Sequence, residues 1–177
     1  TYASPGSYEA TLTVVDALGG TGEAAVSVVI PDGDGDGIPD AGDNCPALAN
    51  ADQADGDGDL VGNVCDSCTA APNAREAADF LVTNPWATLT GGQRDDDHDG
   101  YGNRCDADFT ATGALVGTAD LTQYRASSGK SRANDACGTN GSQPCAKYDL
   151  DQSGTLINSG DLAVYRSLSG KTAGPKC

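Results

Sequence analysis

The chain has 177 residues, of which 38% are hydrophobic and 5% aromatic, too lean a mix for one large core, so several small cross-linked units are expected. Its 26 acidic residues against 10 basic leave a formal charge of −16, which sets nucleic acid and anionic membrane surfaces aside and makes cations the natural partners. No apolar run reaches membrane-spanning length, so direct membrane insertion is not expected either.

Residues 7–30, SYEATLTVVDALGGTGEAAVSVVI, alternate apolar and polar on both sides of a Gly-Gly turn, the pattern of two antiparallel strands. Tyr8, Ala10, Leu12 and Val14 share one face of the first strand. An isolated hairpin is marginal in water, so it should pair with further strands of this chain or of a neighbour. The segment PGSYEATLTVVDALGG resembles the closing strands of polycystic-kidney-disease-type β-sandwich domains. That resemblance implies that residues 1–30 are the last strands of an Ig-like sandwich lying mostly upstream of Thr1.

From residue 31 to residue 106 the chain turns to Asp, Gly and Asn. Between Asp32 and Asp66 lie ten aspartates, and every Lys and Arg lies at or after Arg75, so this stretch is a polyanion unless something neutralises it. Three loops share one spacing: Asp32, Asp34, Asp36 and Asp43; Asp55, Asp57, Asp59 and Asp66; Asp95, Asp97, Asp99 and Asp106. These are positions 1, 3, 5 and 12 of an EF-hand-like calcium loop. Calcium takes six to eight hard oxygen ligands at about 2.4 Å, and alternate residues of a tight turn aim three carboxylates inward while the twelfth closes the sphere. The backbone carbonyl of Ile38, Val61 or Tyr101 at position 7 would add an oxygen, and Asp40, Asn63 or Asn103 at position 9 would act through water. Magnesium, which demands a strict octahedron and keeps its waters, fits so many carboxylates poorly. A solvated acidic linker has no reason to hold three loops in one register. Large apolar groups are nearly confined to Ile38, Leu48, Leu60, Val61 and Val64 between residues 32 and 66, so burial alone cannot order the segment.

An insert at 69–92 interrupts the loops. Within it Asn73 is expected to cap a short helix carrying Ala77, Phe80 and Leu81 and ended near Asn84-Pro85, with Trp86 packed locally.

The runs DGDGDGIPDAGDNCP, NADQADGDGDLVGNVCD and QRDDDHDGYGNRCD resemble thrombospondin type 3 repeats, with their Asp-Asn-Cys-Pro entry, Asn-x-x-Gln spacer and Cys-Asp exit. In that family the repeats wrap a line of calcium ions with almost no hydrophobic core. The resemblance implies Cys45–Cys65 and Cys68–Cys105 disulfides and an accessory ligand role for Asn50. A bridge closing a loop of the first size contributes on the order of 3 kcal/mol, small beside the charge repulsion that calcium would remove.

Residues 107–177 contain a duplication: DFTATGALVGTADLTQYRASSGK and DLDQSGTLINSGDLAVYRSLSGK align without gaps at a period of 41. Each copy reads as a loop and a helix. In the second, Leu162, Tyr165 and Leu168 fall on one face, Ser159 caps and Gly170 stops, and the two copies should pack face to face. The duplication is similar to dockerin-like paired calcium loops. That resemblance places Asp149, Asp151, Ser153 and Thr155 at ligand positions, with Asp161 arriving one residue late. The first copy keeps Asp108 and Asp120 but has Thr110 and Thr112 in place of acidic groups, so its site is expected to be weak or empty.

Cys137 and Cys145 flank a short polar loop and are expected to bridge each other, leaving Cys177 without a partner. Zinc is disfavoured, because Cys65 and Cys68 form a lone CxxC and His98 is the single histidine. Asn140-Gly-Ser is a glycosylation acceptor pattern of low specificity. No apolar pocket that would shift a carboxylate pKa is foreseen, and nothing assembles a nucleophile, base and oxyanion site, so no catalysis is expected.

The resulting expectation is a mixed fold with little regular secondary structure: a partial sandwich at 1–30, calcium repeats at 31–106 and a dockerin-like helical pair at 107–177. Ca2+ is the cofactor, with at least three ions and a fourth at the C-terminal loop. The chain would be a stiff extracellular or cell-surface spacer or adhesive element of a secreted bacterial protein. Its partners would be neighbouring domains or identical subunits. A strand-sharing filament subunit and a docking module of the dockerin kind are the alternatives.

Overall fold

A computed structural model describes residues 3–113, 115–137 and 143–172 of the chain. Asn140 and Cys177 lie outside the described residues. Two compact units emerge, Thr1–Ala54 and Asp55–Cys177.

The first unit opens with strands β1 (Gly6–Val15) and β2 (Thr21–Ile30), antiparallel and in register from Gly6 opposite Ile30 to Val15 opposite Thr21. Asp16 makes the reversal: its Oδ1 accepts from the N–H groups of Leu18 and Gly20, both at 2.8 Å, and Gly19 takes the positive φ of 85° that the turn needs. Those N–H groups, Gly20 first and Leu18 next, hold the Asp16 carboxyl below its usual range. Period-2 alternation puts Tyr8, Ala10, Leu12 and Val14 on one face with Ala24, Val26 and Val28. That face is largely open, with Leu12, Val14 and Val26 each about three-fifths exposed. The unit continues through residues 31–54 without regular structure.

The second unit is largely irregular over its first half. Helix α1 (Phe80–Thr83) is a single turn, and a small hairpin joins β3 (Leu89–Thr90) to β4 (Gln93–Arg94). Asn73 does not cap the helix. Asp79 precedes it without a side-chain cap, and Asn84-Pro85 stops it after four residues, too few to bury the expected Ala77, Phe80 and Leu81 face.

The duplicated segment forms the core. Helices α2 (Thr118–Ser127) and α3 (Ser159–Leu168) flank a strand pair, β5 (Ala136–Cys137) with β6 (Gln143–Pro144), and a 3₁₀ turn at Ala146–Tyr148. Ala107, Phe109, Val116, Tyr124, Cys137, Cys145, Tyr148, Leu150, Ile157 and Tyr165 are all buried together, with Leu121, Leu162, Val164 and Leu168 packed against them. The copies clasp each other reciprocally. Tyr165 Oη donates to the Gly117 carbonyl at 2.6 Å, and Tyr124 Oη to the Asn158 carbonyl at 2.5 Å. Gly170 N donates to the Val116 carbonyl, and Gly129 N to that of Ile157. Each helix thus uses a buried tyrosine to satisfy a carbonyl at the other helix's entry. The cap of α3 is Asn158 rather than Ser159: its side chain accepts from Gly160 N, and Asp161 Oδ2 accepts from Asn158 N in return, closing a capping box.

Candidate calcium sites

In each acidic loop the chain folds around its own carboxylates, helped in the first two by Asp-Gly alternation. Asp32 accepts from Gly35 N at 2.8 Å and Gly37 N at 3.1 Å, and Asp55 accepts from Gly58 N at 2.8 Å and Leu60 N at 3.0 Å. In the third loop Asp95 accepts from Gly100 N and from the Thr90 hydroxyl, the latter at 2.6 Å. Positions 4 and 6 need positive φ. Gly35, Gly37, Gly58 and Gly100 supply it freely, whereas Leu60 (73°) and His98 (59°) adopt it under strain. Leu60, counted above among the apolar groups, is 80% exposed and buries almost nothing.

These turns gather the carboxylates of positions 1, 3 and 5. Ligand oxygens of Asp32, Asp34 and Asp36 lie within 4.8 Å of one another, as do those of Asp55, Asp57 and Asp59, and those of Asp95, Asp97 and Asp99. The position-12 groups Asp43, Asp66 and Asp106 stand outside those triplets. Each offers Oδ1 to the N–H two residues on, that of Cys45, Cys68 or Asp108, at 2.7 to 2.8 Å. Position 9 acts as a staple: Asp40, Asn63 and Asn103 accept from the N–H of Gly33, Gly56 and Asp96 at 2.6, 2.8 and 2.9 Å. Asp40, Asn63 and Asn103, expected to act through water, thus also close their loops directly. Ile38, Val61 and Tyr101 each donate N–H to the position-5 carboxylate, at 2.8, 2.8 and 2.9 Å, which fixes the peptide of position 7.

The electrostatics are those of sites built for a cation. Asp34 Oδ2, Asp43 Oδ2, both oxygens of Asp57, Asp66 Oδ2 and Asp95 Oδ1 are buried without a hydrogen-bond partner among the described residues. Stranding that many carboxylate oxygens away from water is costly unless an ion takes them. Desolvation, then repulsion from Asp59, Asp66 and Asp55, pushes the Asp57 carboxyl up, and desolvation raises Asp66 as well. The Asp106 carboxyl is pushed up to about 7 by burial first, with Asp97, Asp99 and Asp108 adding repulsion. Burial among like charges thus shifts carboxylates that the sequence placed in no apolar pocket. Clustered hard oxygens with raised pKa values suit calcium.

Two residues to which the sequence assigned no loop role, Asn73 and Gln93, complete the second loop. In the first repeat Asn50 N donates to Asp36 Oδ2 at 2.8 Å, while Gln53 donates to Asp43 Oδ1 and accepts from Asn44 N. In the second, Asn73 N donates to Asp59 Oδ2 at 2.7 Å, while Gln93 donates to Asp66 Oδ1 and accepts from Ser67 N. Asn73 therefore stands where Asn50 stands, and Gln93 where Gln53 stands. Residues 74–92 take the place that Ala51 and Asp52 hold in the first repeat. The signal was present: both asparagines follow their position-5 aspartate by fourteen residues, and both glutamines precede the next loop by two. The backbone N–H of Asn50 serves the loop, and its Nδ2 donates to Asn44 Oδ1 at 2.6 Å.

Below the repeats, the duplication gives two different loops. In the first copy both oxygens of Asp108 are taken by its own loop: Oδ1 by the Thr110 and Thr112 hydroxyls and Thr112 N, and Oδ2 by Gly113 N at 2.7 Å. The Thr110 hydroxyl also lies 2.8 Å from Asp120 Oδ1, so an alcohol links the two carboxylates. Burial raises the Asp108 pKa, but these donors outweigh it and hold the carboxyl below its usual range. In the second copy Asp149, Asp151 and Asp161 bring oxygens within 4.8 Å of one another. Desolvation, with repulsion from Asp151 and Asp149, pushes the Asp161 carboxyl up to about 6. Ser153 donates its N–H to Asp151 Oδ1 at 2.9 Å, and Thr155 is engaged through its carbonyl by Arg132 N. Asp149 was read as a plain ligand, yet Oδ2 is held by Arg94 at 2.7 Å and Arg132 at 2.6 Å, leaving a buried, unpartnered Oδ1. Both guanidinium groups stack on Trp86, at 5.1 and 4.9 Å from the ring centroid.

Disulfides join Cys68 to Cys105 and Cys137 to Cys145, and Cys45 and Cys65 are each disulfide-bonded. No helix of the described residues is long and apolar enough to cross a membrane.

No curated protein and no solved structure matches the chain. Residues 31–53 and 53–76 each match the thrombospondin type 3 repeat, so this part of the chain is similar to a calcium-binding structural module and not to an enzyme family.

Proposed function

We propose that the chain is a calcium-loaded, disulfide-braced structural element of a secreted or surface protein, serving as a stiff spacer or adhesive joint between neighbouring domains. One observation carries this reading: buried carboxylate oxygens without partners recur at positions 3 and 12 of the first two loops, where an apolar core is missing. Asp32, Asp34, Asp36, Asp43 and the Ile38 carbonyl would hold one ion. Asp55, Asp57, Asp59, Asp66 and the Val61 carbonyl would hold a second, and Asp95, Asp97, Asp99, Asp106 and the Tyr101 carbonyl a third. Asp149, Asp151 and Asp161, with Ser153 and Thr155, would hold a fourth. When bound, the ion supplies charge neutralisation and a fixed geometry, in place of buried hydrocarbon.

The Cys45–Cys65 pairing implied by the resemblance would staple the first two repeats. The hairpin would be the closing edge of a sandwich of the polycystic-kidney-disease type, and the C-terminal pair a dockerin-like module. Calcium calorimetry on the chelator-stripped chain, with circular dichroism alongside, tests the reading. At least three ions should bind with a coincident gain of order. Fewer than two ions, or binding with no gain of order, would contradict it.

A second reading has its own observation. The open apolar face of the hairpin, with Leu12, Val14 and Val26 exposed, supports a filament subunit completed by a neighbour's strands. Sedimentation that finds only monomers at high concentration in calcium would remove it.

A further inference from the structure

Ion pairs stand at the third and the C-terminal candidate loops. Lys147 Nζ lies 3.4 Å from Asp97 Oδ2, at position 3 of the third loop, and 3.3 Å from the Phe109 carbonyl. Lys147 shares with Asp97, Asp99, Phe109 and Thr110 the lining of a cleft beside that loop. At the C-terminal loop, Arg94 and Arg132 both seize Asp149 Oδ2. The corresponding groups of the first two loops stand differently, since Asp34 keeps one and Asp57 both oxygens without a hydrogen-bond partner. The sequence places no Lys or Arg before Arg75, so neither loop carries a basic residue of its own.

A tethered cation beside a cation site acts in two ways. It occupies carboxylate oxygens the ion needs, and its charge repels a divalent ion through a partly desolvated medium. Lys147 can swing away on its flexible stem, leaving Asp95, Asp97, Asp99 and Asp106 of the third loop, while Asp96 stays paired with buried Arg94. Arg132 cannot swing as freely, because its guanidinium is stacked on Trp86 beside Arg94, so the C-terminal loop of three carboxylates keeps its opposing charge.

We propose that internal cations grade the candidate calcium sites, Lys147 weakening the third loop and Arg132 with Arg94 weakening the C-terminal loop. The first two loops fill at the lowest calcium, the third next and the C-terminal one last. Lys147, Arg94 and Arg132 are affinity-setting residues, and the chain orders in stages as calcium rises. The grading rests on the calcium reading above.

The test is calcium calorimetry on the full stripped chain and its Lys147→Gln and Arg132→Gln variants. Terbium luminescence adds a local signal, because Tyr101 lies within the third loop. Lys147→Gln should tighten the third class of ion about tenfold and leave the first two unchanged, and Arg132→Gln should do the same for the last class. Asp151→Asn identifies that class by deleting it. Lys147→Arg, which keeps the charge, should stay within about twofold of the native chain, separating charge from packing. Titrations of both Gln variants that superimpose on the native curve, or that weaken, overturn the grading while the calcium reading stands. A native chain that takes up no calcium at all overturns the reading on which the grading rests.

Discussion

The C-terminal duplication and the repeats before it solve one problem in opposite ways. Between residues 107 and 168, buried Phe109, Tyr124, Tyr148, Ile157 and Tyr165 close a small apolar core in which Tyr124 and Tyr165 donate to the Asn158 and Gly117 carbonyls. Between residues 32 and 66, Val61 and Cys45 are buried but Leu48, Leu60 and Val64 are half exposed or more, and the interior is made of aspartate. Hydrocarbon can be buried by folding alone, whereas clustered carboxylates can be buried only against a counter-charge. The same contrast is repeated in miniature inside the duplication, where threonine hydroxyls close one loop and Asp149, Asp151 and Asp161 leave the other open to an ion.

Side-chain truncation should show the contrast most strongly. Phe109→Ala should cost about 3–5 kcal/mol in calcium-saturated urea unfolding, because it empties a packed core. Leu48→Ala in the first repeat should cost less than about 0.5 kcal/mol in the same measurement.

The response to pH comes next and should differ in sign with and without calcium. The Asp106 carboxyl sits near 7 in the folded chain against an ordinary 3.8. Without calcium the folded state therefore holds a proton that the unfolded state has lost, and stability falls as pH rises from about 4 to about 7. With calcium the ion needs the ionised form, so affinity at the third loop should fall as pH drops below about 7. Melting at pH 5 and pH 8, each with calcium and with chelator, should give opposite orders in the two conditions; the same order in both would show that Asp106 does not face an ion.

Gln93→Ala should cost about 1–3 kcal/mol and weaken the second loop, since it strands the Ser67 N–H and leaves Asp66 Oδ1 with only the Cys68 N–H. A calcium-dependent protease protection assay would register the loss. A more local break uses the duplication: a Cβ on Gly160 would meet Asp151 Oδ2 at 1.9 Å, while the aligned residue of the first copy is Ala119, opposite the shorter Thr110. Gly160→Ala should delete the C-terminal ion from the calorimetric stoichiometry and leave the melting temperature of the calcium-free chain within a few degrees. Opposite in sign, Leu60→Gly should stabilise the chain by about 1 kcal/mol by relieving a left-handed backbone, measured by urea unfolding in calcium.

Much of this was legible because calcium loops are written in local spacing. Asp32 to Asp43 fixes its own turn through Asx contacts, so the pattern and the geometry coincide. Equally legible was the hairpin, whose alternation and Gly-Gly turn are both local. What escaped was non-local. Asn73 looked like a helix cap because Ser, Asn and Asp serve caps and loops alike, and its partner Gln93 was displaced by an insert. Arg94, Arg132 and Lys147 carry no motif at all, since an ion pair between residues 55 apart depends on tertiary packing. Ser159 lost the cap to Asn158 by one residue, the usual uncertainty of helix ends.

Amide hydrogen exchange with and without a chelator is the most direct test that calcium replaces the core in the repeats. In calcium the amides of Gly35, Ile38, Gly58 and Val61 should be protected. After chelation they should exchange at unfolded rates while Leu121, Ser128, Ile157 and Ser169 stay protected. Equal protection of the repeat amides in both conditions would contradict the account.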